Sequence, residues 1–144
     1  MCRLIPYILT SVLLSGCQSL DGGLSTARPT TISARAAGAI AGDMASRLTE
    51  QIGAAGTTAL KMSEGSSDYA VALKAALKGW GYTVVADQKG GKGARPVDLA
   101  YSIDTMDDQV LARISTPSIW LSRAYTATEA GATPTTPLSI MHLN

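Results

Sequence analysis

Cys17 carries the most distinctive chemistry in this sequence. Its thiol follows Leu14-Ser15-Gly16 and precedes Gln18. The thiolate is the nucleophilic form of a cysteine, so this sulfur can be alkylated. The small residues before it let a peptidase approach the backbone on its N-terminal side. The residues upstream suit that order of events, since Arg3 supplies a positive charge and an apolar run extends from Leu4 to Leu14. A run of about 11 residues has the layout of a secretory signal. It is too short to cross a bilayer, which takes roughly 20 apolar residues. Cleavage before Cys17 removes Cys2 together with residues 1–16. With Cys2 gone and the Cys17 sulfur alkylated, the remaining chain is expected to have no thiol for a disulfide, a nucleophile or a metal site.

Other chemistry finds little support. His142 is the sole histidine and lies near the end of the sequence, where holding a general base against a substrate is difficult. No Gly-x-Ser-x-Gly elbow, no His-Glu-x-x-His and no paired histidine ligands occur. Asp104, Asp107 and Asp108 form a local acidic cluster, but they lack the spaced ligands of a calcium loop, and aspartates are natural turn formers. The stretch Gln88 to Pro96 is glycine-rich and contains Lys89, Lys92 and Arg95. A phosphate loop needs a hydroxyl residue after Gly-Lys and a helix beyond it. Here a strand follows, so the stretch reads as a surface loop. No catalytic residues, metal ligands or cofactor site can be named, and the chain reads as a non-enzyme without a small-molecule substrate.

The elements that position these residues follow from periodicity. Ile40, Met44, Leu48 and Ile52 recur every fourth position, with Ala37 and Ala41 beside them, which marks one face of an amphipathic helix. Thr31 or Ser33 caps its start and Gly53 ends it. Gly38 and Gly42 stand at Gly-x-x-x-Gly spacing, read as incidental small residues in preference to a packing seam. Thr57 to Met62 forms a short strand. A second helix, capped by Ser66 or Ser67, turns Tyr69, Ala70, Leu73, Ala76, Leu77 and Trp80 to one side. Gly79 or Gly81 stops it, and Tyr82 to Ala86 is a strand. Three further strand-like runs follow: Leu99 to Ile103, Val110 to Ser115, and Ile119 to Thr128.

The expected fold is α+β, with two helices packed on a small, mostly antiparallel sheet of about five strands. The sequence divides into a signal (1–16), a Ser/Thr/Gly/Pro-rich flexible tether (17–31), one domain (32–128) and a Pro/Thr-rich tail (129–144). That tail reads as extended and flexible, although Leu138 to Leu143 are apolar enough to pair or dock.

Phenylalanine is absent, so Ala, Leu, Ile and Val must form the core around the tryptophans. Trp80 is expected to anchor that core. Trp120 falls on the strand face opposite Ile119 and Leu121, beside Ser122 and Ala124. It serves there either as a contact for another protein or as cover for the hydrophobic rim. The formal net charge is +1 with no clustered basic patch, so no direct nucleic-acid contact is expected.

Leu14-Ser15-Gly16-Cys17 resembles the lipobox of bacterial lipoprotein precursors, which implies a lipidated Cys17 and cleavage before it. Multiple acyl chains make such an anchor lasting. Gln18 in place of Asp resembles the enteric outer-membrane sorting pattern, facing the periplasm. In combination, Cys17–Gly22, Ala39–Met44, Leu77–Tyr82 and Gln109–Ser118 resemble the TrbH family, lipoproteins of Trb-type conjugal transfer systems. The resemblance runs from the lipobox to about Pro137. It implies a structural outer-membrane lipoprotein of a type IV secretion apparatus for plasmid transfer, anchoring or stabilising the envelope-spanning channel. Its partners would be other conjugal transfer core proteins and, through lipid on Cys17, the membrane. An accessory lipoprotein of another envelope complex, such as a transporter or secretin partner, is the alternative, and an envelope hydrolase a more distant one.

Overall fold

The computed structural model describes residues 32–86 and 95–144. The signal, the Leu14–Cys17 motif, the tether and most of the glycine-rich loop lie outside the described residues.

Helix α1 (Ala34–Thr49) begins at Ser33, whose hydroxyl accepts from the Ala36 N–H at 3.1 Å, satisfying one of the first-turn donors left open at any helix start. Its buried stripe includes Ile40, Met44 and Leu48, as the four-residue step predicts. The helix stops at Thr49, short of the expected Gly53, and a 3₁₀ turn follows at Ala55–Thr57. Gly38 is exposed, and a Cβ at Gly38 or Gly42 would meet nothing within 4 Å. The glycine spacing is therefore no packing seam.

Strand β1 (Ala59–Met62) leads into helix α2 (Asp68–Gly79), capped by Ser67 through the Ala70 N–H at 3.1 Å. Helix α2 ends in a Schellman arrangement. The Tyr82 N–H donates to the Leu77 carbonyl and the Gly81 N–H to that of Lys78, with Gly81 at φ +95°, a conformation that favours glycine. This reversal explains a difference from expectation at Trp80. The residue sits at the C-cap, outside the helical repeat that carries Leu73 and Leu77 inward, and is 53% exposed. The large buried aromatics are instead Tyr69, Tyr82 and Tyr125. The Tyr82 hydroxyl donates to the Gly53 carbonyl at 2.8 Å, tying the end of α2 to the end of α1.

The remaining chain is β2 (Thr83–Val85), β3 (Val97–Met106), β4 (Gln109–Ser115), β5 (Ile119–Thr128), β6 (Gly131–Pro134) and β7 (Ser139–His142). With β1 they form one seven-stranded sheet among the described residues, in the order β2-β1-β3-β4-β5-β6, with β7 also on β5. Strand β1 runs parallel to both β2 and β3, and the other pairings are antiparallel. The fold is the expected α+β with two helices on a mostly antiparallel sheet. It has two strands more than the five expected, and both come from residues 129–144, anticipated as an extended, flexible tail. Strand β6 pairs with Tyr125–Thr128 and β7 with Ile119–Ser122, so the outer edge of β5 gives that segment its ladder bonds.

Both helices cover the same side of the sheet. Alternation sends Val110, Ala112 and Ile114 of β4, and Ile119, Leu121 and Tyr125 of β5, into the core with Leu60 and Leu99. Truncating a fully buried member such as Leu73 to alanine would cost about 2–5 kcal/mol through lost burial and the cavity left behind. No helix of the described residues is long and apolar enough to cross a membrane.

Candidate functional site

Period-two alternation gives the sheet a second face, which no helix covers among the described residues. Its centre is mostly small or polar, with Ala100 and Ser102 of β3, Ser115 of β4, and Ser122 and Ala124 of β5, and carries Leu111 of β4 between Asp104 and Ala124. Charged residues stand on it as cross-strand pairs. Lys61 contacts Asp98 at 2.8 Å and Arg113 contacts Asp104 at 3.2 Å, so their charges are matched within the face. Trp120 rises from this floor, 43% exposed, bordering a shallow hollow of about 180 Å³ with Ala100, Ser102, Arg113 and Ser115. Met141 of β7 lies directly opposite Trp120 in the ladder and is 53% exposed. An aromatic and a thioether side by side over small neighbours suit a protein contact, since truncated residues around an anchor let a partner approach.

The tight link between β4 and β5 fixes Trp120 in place. Thr116 and Ile119 close a turn over Pro117-Ser118, with the Thr116 N–H donating to the Ile119 carbonyl at 2.8 Å. The Thr116 hydroxyl accepts from the Ile119 N–H at 3.2 Å, which is why this threonine is buried without losing its polar partners.

A second constellation lies on the helix side. Arg123 occupies an inward-facing position of β5, between Leu121 and Tyr125. Its Nη1 donates to Asp43 Oδ2 on α1 at 2.9 Å and its Nε to the Thr136 carbonyl at 3.0 Å. Tyr125 donates to the same carboxylate oxygen at 2.7 Å. Arg47 adds a longer contact to Asp43 at 3.7 Å. Burial, reinforced by the hydrogen bond to Asp43, raises the Tyr125 pKa well above its ordinary value. These are fixed, mutually satisfied bonds between α1, β5 and the β6–β7 connection, with no free nucleophile among them. The arrangement pins structure and leaves no group poised for acid–base work.

Asp43 stands outside the apolar four-residue step of α1, and nothing in its local sequence marks Arg123 as its partner. The available signal was parity: an arginine at an inward position of an otherwise apolar strand face needs a carboxylate across the interface.

The residues expected to matter divide as follows. Leu14, Ser15, Gly16 and Cys17 lie outside the described residues. Trp120 stands on the uncovered face. Asp107, at φ 52°, and Asp108 form the two-residue turn of the β3–β4 hairpin, while Asp104 faces Arg113. His142 lies on β7, exposed. Larger hollows occur at the start of α2 (about 600 Å³, between Met62, Glu64, Ser66 and Lys74) and beside Ser33 (about 430 Å³, between Thr105, Asp107, Gln109 and Glu129). Neither has a histidine or cysteine in its lining.

Among known proteins, residues 19–144 match the family described as conjugal transfer protein TrbH. A relative from Sinorhizobium fredii (strain NBRC 101917 / NGR234), named probable conjugal transfer protein TrbH, is 59% identical over 148 residues, covering 100% of both chains. No solved structure matches this chain.

Proposed function

The chain belongs to the TrbH family of conjugal transfer proteins, and from that premise we propose that it is a structural lipoprotein of the plasmid transfer apparatus. Family membership across residues 19–144 carries the reading and supports a role in conjugation together with other transfer proteins. The finer reading adds what Leu14-Ser15-Gly16-Cys17 contributes. Acyl chains on Cys17 hold the protein to the periplasmic side of the outer membrane, residues 17–31 give the domain reach, and the domain stabilises the envelope-spanning channel by docking on its components.

The uncovered sheet face fits that part. Its charges are paired within the face, and Trp120 with Met141 offers an apolar contact that a protein partner can bury. Conjugation moves DNA, but binding a polyphosphate takes a surplus of clustered positive charge, and net charge +1 does not favour it. The domain is read as a fastening between proteins.

Replacing Cys17 by serine removes the nucleophile for lipidation. In cells carrying the plasmid, the Cys17→Ser chain should remain as uncleaved precursor, leave the outer-membrane fraction and lower mating frequency. Wild-type fractionation and wild-type transfer by that variant would overturn the anchor.

A further inference from the structure

We propose that the outer edge of β7 pairs with the same edge of a second copy of this chain, joining two sheets across a two-fold axis. This goes beyond the role in a transfer channel and rests on the backbone geometry of one strand.

The Leu143 N–H donates to the Ser118 carbonyl at 2.8 Å, and the β5–β7 register sets Ile119 against His142 and Leu121 against Ile140. In an antiparallel ladder, alternate residues turn both backbone groups to the same side. Ser139, Met141 and Leu143 therefore spend their N–H and C=O groups on β5. Ile140 and His142 turn theirs outward, where no strand of this chain covers them among the described residues.

That edge lacks the usual guards. Exposed strands are commonly protected by charge or proline, and Pro134 and Pro137 do this for the neighbouring part of the same edge. Ser139 to Leu143 contains neither proline nor an acidic or permanently basic residue. Two copies therefore meet without like-charge repulsion. Ile140, Met141 and Leu143 are 41%, 53% and 40% exposed.

Of the two-fold registers open to this edge, one pairs its two outward-turned residues, Ile140 and His142, with each other across the axis. With Met141 on the axis, Ile140 lies opposite His142 of the second copy, and each such pair exchanges two N–H to C=O bonds. The two Met141 side chains then meet at a non-hydrogen-bonded position on the uncovered face, beside Trp120 of each copy. The start of the described chain does not obstruct this. Ser33 is bonded to the Thr128 carbonyl at 3.0 Å, at the opposite end of β5 from Ile119–Ser122, where β7 pairs. Residues 17–31 reach at most about 50 Å when fully extended, enough for both copies to stand on one membrane.

Position-specific cross-linking of the full-length chain in its own membranes tests the register. Across the axis, the Met141 Cα atoms are about 4.5 Å apart, within the range a disulfide accepts. The Ser139 Cα atoms are about 13 Å apart, four residues along the strand. Under mild oxidation, Met141→Cys should give a disulfide-linked homodimer, verified with two differently tagged copies. Ser139→Cys and the parent chain, which retains Cys17, should not. Adding His142→Pro to Met141→Cys removes an outward N–H that β5 does not use, so protease resistance should persist while the dimer is lost. Three results each overturn the proposal: a monomeric Met141→Cys chain, equal cross-linking from Ser139→Cys, or an adduct to a different protein. A dimer that survives His142→Pro overturns the edge pairing.

Discussion

Arg123 of β5 donates to Asp43 of α1 at 2.9 Å, a contact between residues 80 positions apart in sequence. The same guanidinium holds the Thr136 carbonyl, so one side chain joins the first helix, the central meander and the link between the last two strands. Its planar fork suits two acceptors at a fixed angle.

Removing either partner leaves the other half-buried without its closest counter-charge, although Asp43 keeps the Tyr125 hydroxyl and Arg123 the Thr136 carbonyl. Arg123→Ala or Asp43→Ala should each destabilise the fold by about 2 kcal/mol, below the value for a fully buried pair because both groups keep some water. The double variant should cost less than the sum. Denaturant melts in a double-mutant cycle check this, and purely additive effects would show that the pair is not coupled. Amide exchange of Thr135 and Leu143 should quicken in Arg123→Ala.

Two buried tyrosines should respond oppositely to loss of the hydroxyl. The Tyr125 hydroxyl bonds Asp43, so Tyr125→Phe should cost about 1 kcal/mol. The Tyr69 hydroxyl is buried without a hydrogen-bond partner among the described residues. Tyr69→Phe should therefore be neutral or stabilise by up to about 1 kcal/mol. Thermal melts of both variants at neutral pH decide it, and a large loss from Tyr69→Phe would mean that hydroxyl has a partner.

Stability should fall at alkaline pH. Burial raises the pKa of both Tyr69 and Tyr125 above the ordinary value of 10.0, so the folded chain keeps protons that the unfolded chain releases. Their contribution is complete below pH 10 and is lost progressively above it. Melting temperature followed from pH 8 to 11.5 should show a decline beginning near pH 10, shallower in the double Phe variant. An unchanged melting temperature across that range would contradict the burial of these groups.

Trp120→Ala should leave the fold intact, at a cost of about 1 kcal/mol or less for a side chain so exposed. If the uncovered face docks on the transfer apparatus, this variant loses co-purification with core transfer proteins and lowers mating frequency. Unchanged co-purification would assign Trp120 to covering the rim.

Both helices were legible because their apolar residues recur at helical spacing and Ser33 and Ser67 are strong caps. The β3–β5 meander was legible from alternation between Leu99 and Tyr125. Residues 129–144 were legible only in part: the apolar Leu138 to Leu143 offered a segment able to pair, as β7 does, but Pro134 and Pro137 interrupt the rest and β7 is exposed on both faces, leaving no alternating pattern to read. Trp80 misled for a related reason. Its spacing from Leu77 continues the helical stripe, yet the turn through Gly81 ends the helix one residue too soon. The uncovered face was half legible: parity placed Trp120 opposite Leu121, but Met141 as its neighbour required the pairing of β7. The link from Asp43 to Arg123 depends on how the helix lies on the sheet, which no local window contains.

Ser33 at the head of α1 also donates to the Thr128 carbonyl, 95 residues later, and α1 packs on α2 and on β4, β5 and β6. The helix synthesised first thus finds most of its sheet contacts among strands synthesised last. Contacts so distant in sequence make folding slow relative to a bundle of local helices. A chain still emerging from the ribosome has no way to close its core before residue 128 is made. The domain is built to mature late, as a whole.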